Sequence, residues 1–265
     1  MVCMEGCMDS NVLRNPTCPS CQAEAEPAAT ECTRCGVIFA KYKPLARGPR
    51  PLDPEEERSA AATVPSVWAH VRAMTADAAF AVEGPVNPFT WFGRAAVLVG
   101  LAGWSWPLMT AGIASNYAGE SFLHLINLPF HEAGHIFFTP LGRFMQVLGG
   151  SLGQLLMPLV CLVAFLFQQR NPFGAAVTLW WTGESLLDLA PYINDARALE
   201  LILIGGVTGK DVEDYHDWEY ILRTLGWLPY DHTLARIAHG LGSVVMVVAL
   251  LWAGSLLRQQ YRRME

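Results

Sequence analysis

Three runs of this chain carry no charged side chain: residues 95–119, 144–169 and 237–257. Each is long enough to cross a hydrocarbon core, which takes about 20 apolar residues. Inside lipid a single segment can satisfy its backbone hydrogen bonds only as a helix. Two further segments extend the pattern. Residues 121–141 are apolar apart from a His/Glu cluster, and residues 171–195 begin apolar and then acquire Glu184, Asp188 and Asp195. The expected fold class is therefore an all-α polytopic membrane protein with five transmembrane helices, or six if the short apolar run at 199–206 dips into the bilayer. Arg94 and the basic tail (Arg258, Arg262, Arg263) both favour the cytoplasmic side. An odd number of spans cannot satisfy both, so the parity stays open.

The first ninety residues are of another kind. They hold most of the Pro and Cys and nearly half of the charge in a chain that is only 16% charged, against about a quarter in ordinary soluble proteins. Residues 1–16 contain acids and no apolar core, so they do not read as a secretory signal. They are expected to form a disordered tail in the cytosol. Residues 44–90 read as a Pro-, Ala- and charge-rich linker, with an interfacial helix at 67–82. The transmembrane domain is expected over 91–265. The net charge of −6 comes without a dense basic stripe, which argues against a nucleic-acid partner.

Residues 17–43 contain Cys18-Pro-Ser-Cys21 and Cys32-Thr-Arg-Cys35. In a reducing compartment two such pairs favour metal binding over disulfides. Four thiolates from two tight turns close a tetrahedral zinc site, and Gly36 permits the second turn. The pattern resembles a zinc ribbon. A piece this small has little core, so the metal would supply most of its folding energy. A closed site suits recognition or regulation, because it leaves no open coordination position.

The sharpest motif is His131-Glu132-Ala133-Gly134-His135. On a helix, residues four apart share one face, so His131 and His135 can aim two ring nitrogens at one ion. Zinc takes such ligands, with a third protein ligand and a water. Glu132 is placed to accept a proton from that water. Ala133 and Gly134 are small enough to let a neighbouring helix approach closely. Ionisable groups in an apolar run cost roughly 2.5–3.5 kcal/mol each at the bilayer centre, so a His/Glu/His cluster there needs a partner such as a metal. His124, two turns earlier on a similar face, reads as a helix-end histidine or an outer contact of the site. The third ligand is sought in residues 184–195. Asp188 is the first choice and Asp195 the second, with Asp195 equally readable as a solvated carboxylate near Arg197. His216 and Asp217 could fold back to the site, but they read more simply as part of a solvated loop.

An HEAGH motif in an apolar helix, followed by a later apolar segment bearing an aspartate, resembles the site-2 protease family of intramembrane zinc metalloproteases. The resemblance covers roughly residues 90–257 as architecture, and only the His-Glu-His motif is specific. It implies that His131 and His135 bind zinc, that Glu132 is catalytic, and that an aspartate from a Leu-Asp-Gly motif completes the site. Here Asp188 has the leucine before it but not the glycine after it. Asp195 lacks both, although it follows Pro191 and Asn194, as in the family pattern. The same five residues occur in membrane-anchored ATP-dependent metalloproteases, but no Walker-type phosphate loop is present here.

The function so implied is hydrolysis of peptide bonds in membrane-embedded protein segments. It would use one catalytic and one structural Zn²⁺, with a cytosolic ribbon for recognition or regulation. The expected partners are a membrane-protein substrate, the lipid bilayer and a cytosolic protein at the ribbon. The alternative is a proteolytically inactive membrane zinc protein that serves as a scaffold. A metal transporter would be expected to show ligands along several spans, whereas here they concentrate in two.

Overall fold

The computed structural model describes residues 17–26, 28–42, 53, 67–80 and 87–264. The expected tail, and the linker apart from residue 53 and the helix at its end, lie outside the described residues. The chain divides into two compact units, Met1–Pro65 and Ser66–Glu265.

The described part of the first unit is two copies of one small turn. The Cys18 N–H donates to Ala23 O at 2.8 Å, and the Gln22 N–H to Cys18 O at 2.9 Å. The same bonds recur at Cys32 to Val37 and Gly36 to Cys32, at 2.9 and 2.8 Å. An isolated bridge closes each turn, Thr17 to Glu24 and Glu31 to Ile38. Both turns need a left-handed residue after the second cysteine. Gly36 takes it at φ 72°, but Gln22 does so at φ 60° with a full side chain.

The second unit contains seven helices among its described residues: α1 Val67–Phe80, α2 Pro88–Thr110, α3 Phe122–Phe138, α4 Arg143–Val163, α5 Pro172–Asn194, α6 Asp217–Leu225 and α7 Asp231–Tyr261. Their starts follow from local chemistry. Asn87 accepts from Phe89 N–H and Asn171 from Gly174 N–H, each just ahead of a proline at the first helical position. His216 caps α6 by accepting from Glu219 N–H, and Gly226 ends that helix at φ 70°.

Helix α5 is the central element, and most of its 23 residues are buried. Its Trp180 and Leu187 pack with Leu108, Leu123, Met246 and Ala249. Phe173 and Ala176 pack with Ala253, Leu256 and Leu257, while Leu189 and Ile193 pack with Ala235. Gly183 of α5 and Gly242 of α7 bring those two backbones together. A Cβ on Gly183 would meet Gly242 O at 2.7 Å.

Helices therefore occupy all five expected segments, but two of them are long and apolar enough to cross a membrane: Arg143–Gln168, in which α4 runs on through a π turn, and Leu228–Tyr261. The expectation of five or six spans is not supported. Helix α3 has only 17 residues and carries the charged cluster. Helices α2 and α5 are long enough, but Gly, Ser, Thr and Trp dilute the first, and Glu184 and Asp188 interrupt the second. The run at 199–206 is not helical.

Large apolar side chains nonetheless face outward on several helices. Phe89 is 86% exposed, Phe137 80%, Ile136 75% and Leu251 70%.

Helices α3 and α4 form a hairpin around Gly142, which takes φ 93°. Their backbones touch where Gly134 faces Gly149 and Gly153. A Cβ on Gly134 would overlap the carbonyl oxygen of Gly149, and one on Gly153 would overlap that of Phe130. A backbone oxygen in a rigid helix cannot step aside, so the two helices would have to part. We expect Gly134→Ala to destabilise the helical unit by about 1–3 kcal/mol. Gly93→Ala, where nothing lies within 4 Å, should leave it unchanged or slightly more stable. Thermal unfolding in detergent would compare the two, and equal stability of both variants would refute the close contact.

Candidate metal centres

In the first unit Cys18, Cys21, Cys32 and Cys35 converge. Cys18 Sγ lies 3.7 Å from Cys35 Sγ, and Cys21 Sγ 3.7 Å from Cys32 Sγ. Four sulfurs at a Zn–S length of roughly 2.3 Å in a tetrahedron lie about 3.8 Å apart. The group could hold a metal ion. The backbone N–H of Cys21, more than any other contact, holds the Cys18 thiol down to about 6. Cys32 is lowered too, whereas at Cys35 the Val37 N–H is outweighed by burial and the neighbouring sulfurs, which push it up to about 12, so the thiolate form that metals bind is favoured at Cys18 and Cys32.

In the second unit, α3 places His131, Glu132 and His135 together, and this group too could hold a metal ion. The two rings sit 4.8 Å apart, nearly perpendicular. Their inner nitrogens are committed. His135 Nδ1 lies 2.8 Å from Gln146 O, and His131 Nδ1 lies 3.4 Å from Gln154 Oε1. Both partners are acceptors on α4, so each Nδ1 is the donor there, and in the neutral ring each Nε2 keeps a lone pair. This is the usual outer-shell arrangement around metal-binding histidines. Gly150 of α4 forms the floor, since a Cβ there would come within 2.6 Å of both rings.

The carboxylate that meets the two lone pairs is Asp217, at the first position of α6. Its Oδ2 is 2.9 Å from His131 Nε2 and 3.2 Å from His135 Nε2. Ligand atoms roughly 2.0 Å from a tetrahedral zinc lie about 3.3 Å from one another, so the three atoms suit one ion. Burial pushes the Asp217 carboxyl up, but where the rings are protonated at Nε2 as well, hydrogen bonds and charge from His131 and His135 outweigh it and hold the group below the usual carboxylate range. It is therefore ionised, as a cation site requires.

The two aspartates expected at this place are engaged elsewhere. Asp188 is buried on α5, where its Oδ2 accepts from Gln154 Nε2 at 2.7 Å and from Asn127 Nδ2 at 3.0 Å. Its Oδ1 lies 2.9 Å from His124 Nδ1. It thus touches His131 only through Gln154. Glu184, one turn earlier, accepts from Asn127 at 3.0 Å.

Asp195 caps the end of α5 and accepts from the N–H groups of Glu200 and Leu201 at 3.0 and 2.9 Å. It also faces His216 Nε2 at 3.4 Å. It clasps both ends of the loop that delivers Asp217, and it is 7% exposed rather than solvated. His216 is likewise fully buried, so the stretch read as a solvated loop folds back onto the site. The signals that could have revealed this were adjacent: a histidine suited to capping, followed by acids at the first turn of an amphipathic helix.

A cleft of about 340 Å³ opens over these residues. Glu132 is exposed at it, and Leu128, Leu189, Tyr192 and Leu201–Ile204 are among the residues that line it. No family model matches the chain, and no match was found among curated proteins or solved structures.

To keep ribbon metal out of the count, the ligand test is best made in a Cys18→Ser/Cys21→Ser background. Asp217→Ala is expected to weaken metal binding by more than the roughly 10–100-fold typical of outer partners. Asp188→Ala and Asp195→Ala should stay within that range. Chelator competition measures all three, and metal lost from Asp188→Ala but kept by Asp217→Ala would reverse the assignment.

Proposed function

We propose that this chain is a membrane-embedded zinc metalloprotease that cleaves peptide bonds in membrane-embedded protein segments, with the ribbon as a recognition or regulatory module. The observation that carries the reading is the donor set: two Nε2 lone pairs fixed by acceptors behind them, one ionised carboxylate, and an exposed glutamate on the same cleft. His131, His135 and Asp217 would hold the ion, and the four cysteines a second, structural one. A bound zinc would acidify a water molecule and polarise the scissile carbonyl.

The rest falls to the chain itself. Glu132 accepts the proton of the attacking water and returns it to the departing amine. Gln146 and Gln154 keep the histidine rings turned to the site. Burial of His131 and partial burial of Asp217 limit access by bulk water, which strengthens each polar interaction in the cleft.

Membrane embedding is supported by the two long apolar helices and by the outward Phe89, Ile136, Phe137 and Leu251. Exposed apolar surface on this scale is unusual for a soluble monomer. An intact transmembrane helix hides its peptide groups, so the substrate is a segment that unwinds locally to enter the cleft.

Glu132→Gln is expected to keep its metal and lose at least about a hundredfold in cleavage of a detergent-solubilised unstructured protein such as casein. Full metal content with unchanged cleavage would remove Glu132 from the chemistry. If the wild type, loaded with metal, cleaves neither casein nor co-expressed membrane proteins, the scaffold reading takes its place.

A further inference from the structure

Addition of water to a peptide carbonyl turns the carbonyl oxygen into an oxyanion. Enzymes that speed this step aim a hydrogen-bond donor at the place where that charge develops. Tyr192 of α5 lines the cleft and half-faces it. Its phenol oxygen accepts a hydrogen bond from the backbone N–H of Asp217 at 2.9 Å, and its ring lies 6.2 Å from that of His131. The phenol oxygen is thus tied to the backbone of the very residue whose carboxylate meets both histidines.

The N–H it accepts is one of the orphan donors at the start of α6. With one lone pair so used, the hydroxyl hydrogen points away from the Asp217 N–H, and among the described residues no acceptor takes it. The other cleft tyrosine is committed, since Tyr215 donates its hydroxyl to Ile204 O at 2.9 Å. The N–H···O–H chain also polarises the phenol and makes it a better donor. His124 is less well placed: it precedes His131 by seven residues, about 10 Å along the helix axis, and its Nδ1 is bound to Asp188.

We propose that Tyr192 is a catalytic residue of this site, its phenol O–H donating to the oxygen that becomes negative when water adds to the scissile carbonyl. The assignment rests on the hydrolytic reading above. In the step, the water oxygen bonds to the carbonyl carbon, the carbonyl π pair moves onto its oxygen, and the water proton passes to Glu132. On collapse the pair returns, the C–N bond breaks, and the proton on Glu132 goes to the amine. Tyr192 keeps its own proton throughout and supplies only a hydrogen bond. It costs no rearrangement at the moment of reaction, because Asp217 already holds the hydroxyl in place.

The test compares wild type and Tyr192→Phe as intact, metal-loaded protein in detergent. The readouts are metal content, kcat and KM on casein, and the affinities of two probes. One probe is a peptidyl phosphonamidate, whose tetrahedral oxygens imitate the oxyanion. The other is a peptidyl hydroxamate, which is planar and does not. Expected are unchanged metal content, kcat lower by about 100–1,000-fold with KM unchanged, a tenfold or greater loss for the phosphonamidate alone, and no change for the hydroxamate. Unchanged kcat and phosphonamidate affinity would overturn the proposal. Parallel weakening of both probes together with metal loss would also overturn it, because Tyr192 would then act only by positioning Asp217. A wild type that cleaves nothing and binds neither probe would strike the hydrolytic reading itself, a result distinguishable from either of the others.

Discussion

The close approach of α3 and α4 is the constraint on which the helical unit depends. Gly134, Gly149 and Gly153 let two backbones touch, and that contact sets the depth at which Gly150 lies beneath the histidine rings. It also brings Gln146 and Gln154 of α4 within reach of the inner ring nitrogens. If the helices stood apart by the width of a methyl group, His131 and His135 would lose the acceptors that fix their tautomers. The small residues of the motif and of its neighbour are therefore part of the site's chemistry, although none of them carries a functional group.

Polar residues buried on α5 extend the same arrangement outward. Asn127 donates to both Glu184 and Asp188 and accepts from Trp181 Nε1 at 2.8 Å. Gln154 joins Asp188 to His131. Buried polar groups are expensive unless they are satisfied. This set ties α3, α4 and α5 into one register, and it lies directly behind the rings.

What could be read from the sequence depended on how local the cause was. The spacing of Cys18, Cys21, Cys32 and Cys35 is a property of two tight turns, and the four sulfurs do converge. The i, i+4 spacing of His131 and His135 likewise needed only a helix. The reading that Ala133 and Gly134 would admit a neighbour followed from size alone. Asp217 was not legible, because it is 82 positions beyond His135 (217 − 135) and arrives through a loop whose closure depends on Asp195. Asp188 was correctly read as a carboxylate that needs partners. Those partners are amides and a histidine, and nothing in its own segment distinguishes them from a metal. The span count is not supported for a compositional reason: Gly, Ser, Thr and Trp dilute α2, and Glu184 and Asp188 interrupt α5, whose surface is largely covered by protein.

The clasp at Asp195 has a thermodynamic consequence. Two of the three atoms that would face an ion come from one helix, α3, and the third is carried to them by a loop of about 20 residues. Bringing the ends of a loop of that length together carries a length-dependent entropy cost of roughly 2.7 kcal/mol by the logarithmic closure rule. The loop carries Asp217 to the histidines, so an ion held there would be coupled to the closed arrangement of that loop. Whatever tightens the clasp tightens the hold on the ion, and whatever pulls on the loop loosens it by the same factor. Coordination and access to the cleft are in this way linked through a single carboxylate far from both in the sequence.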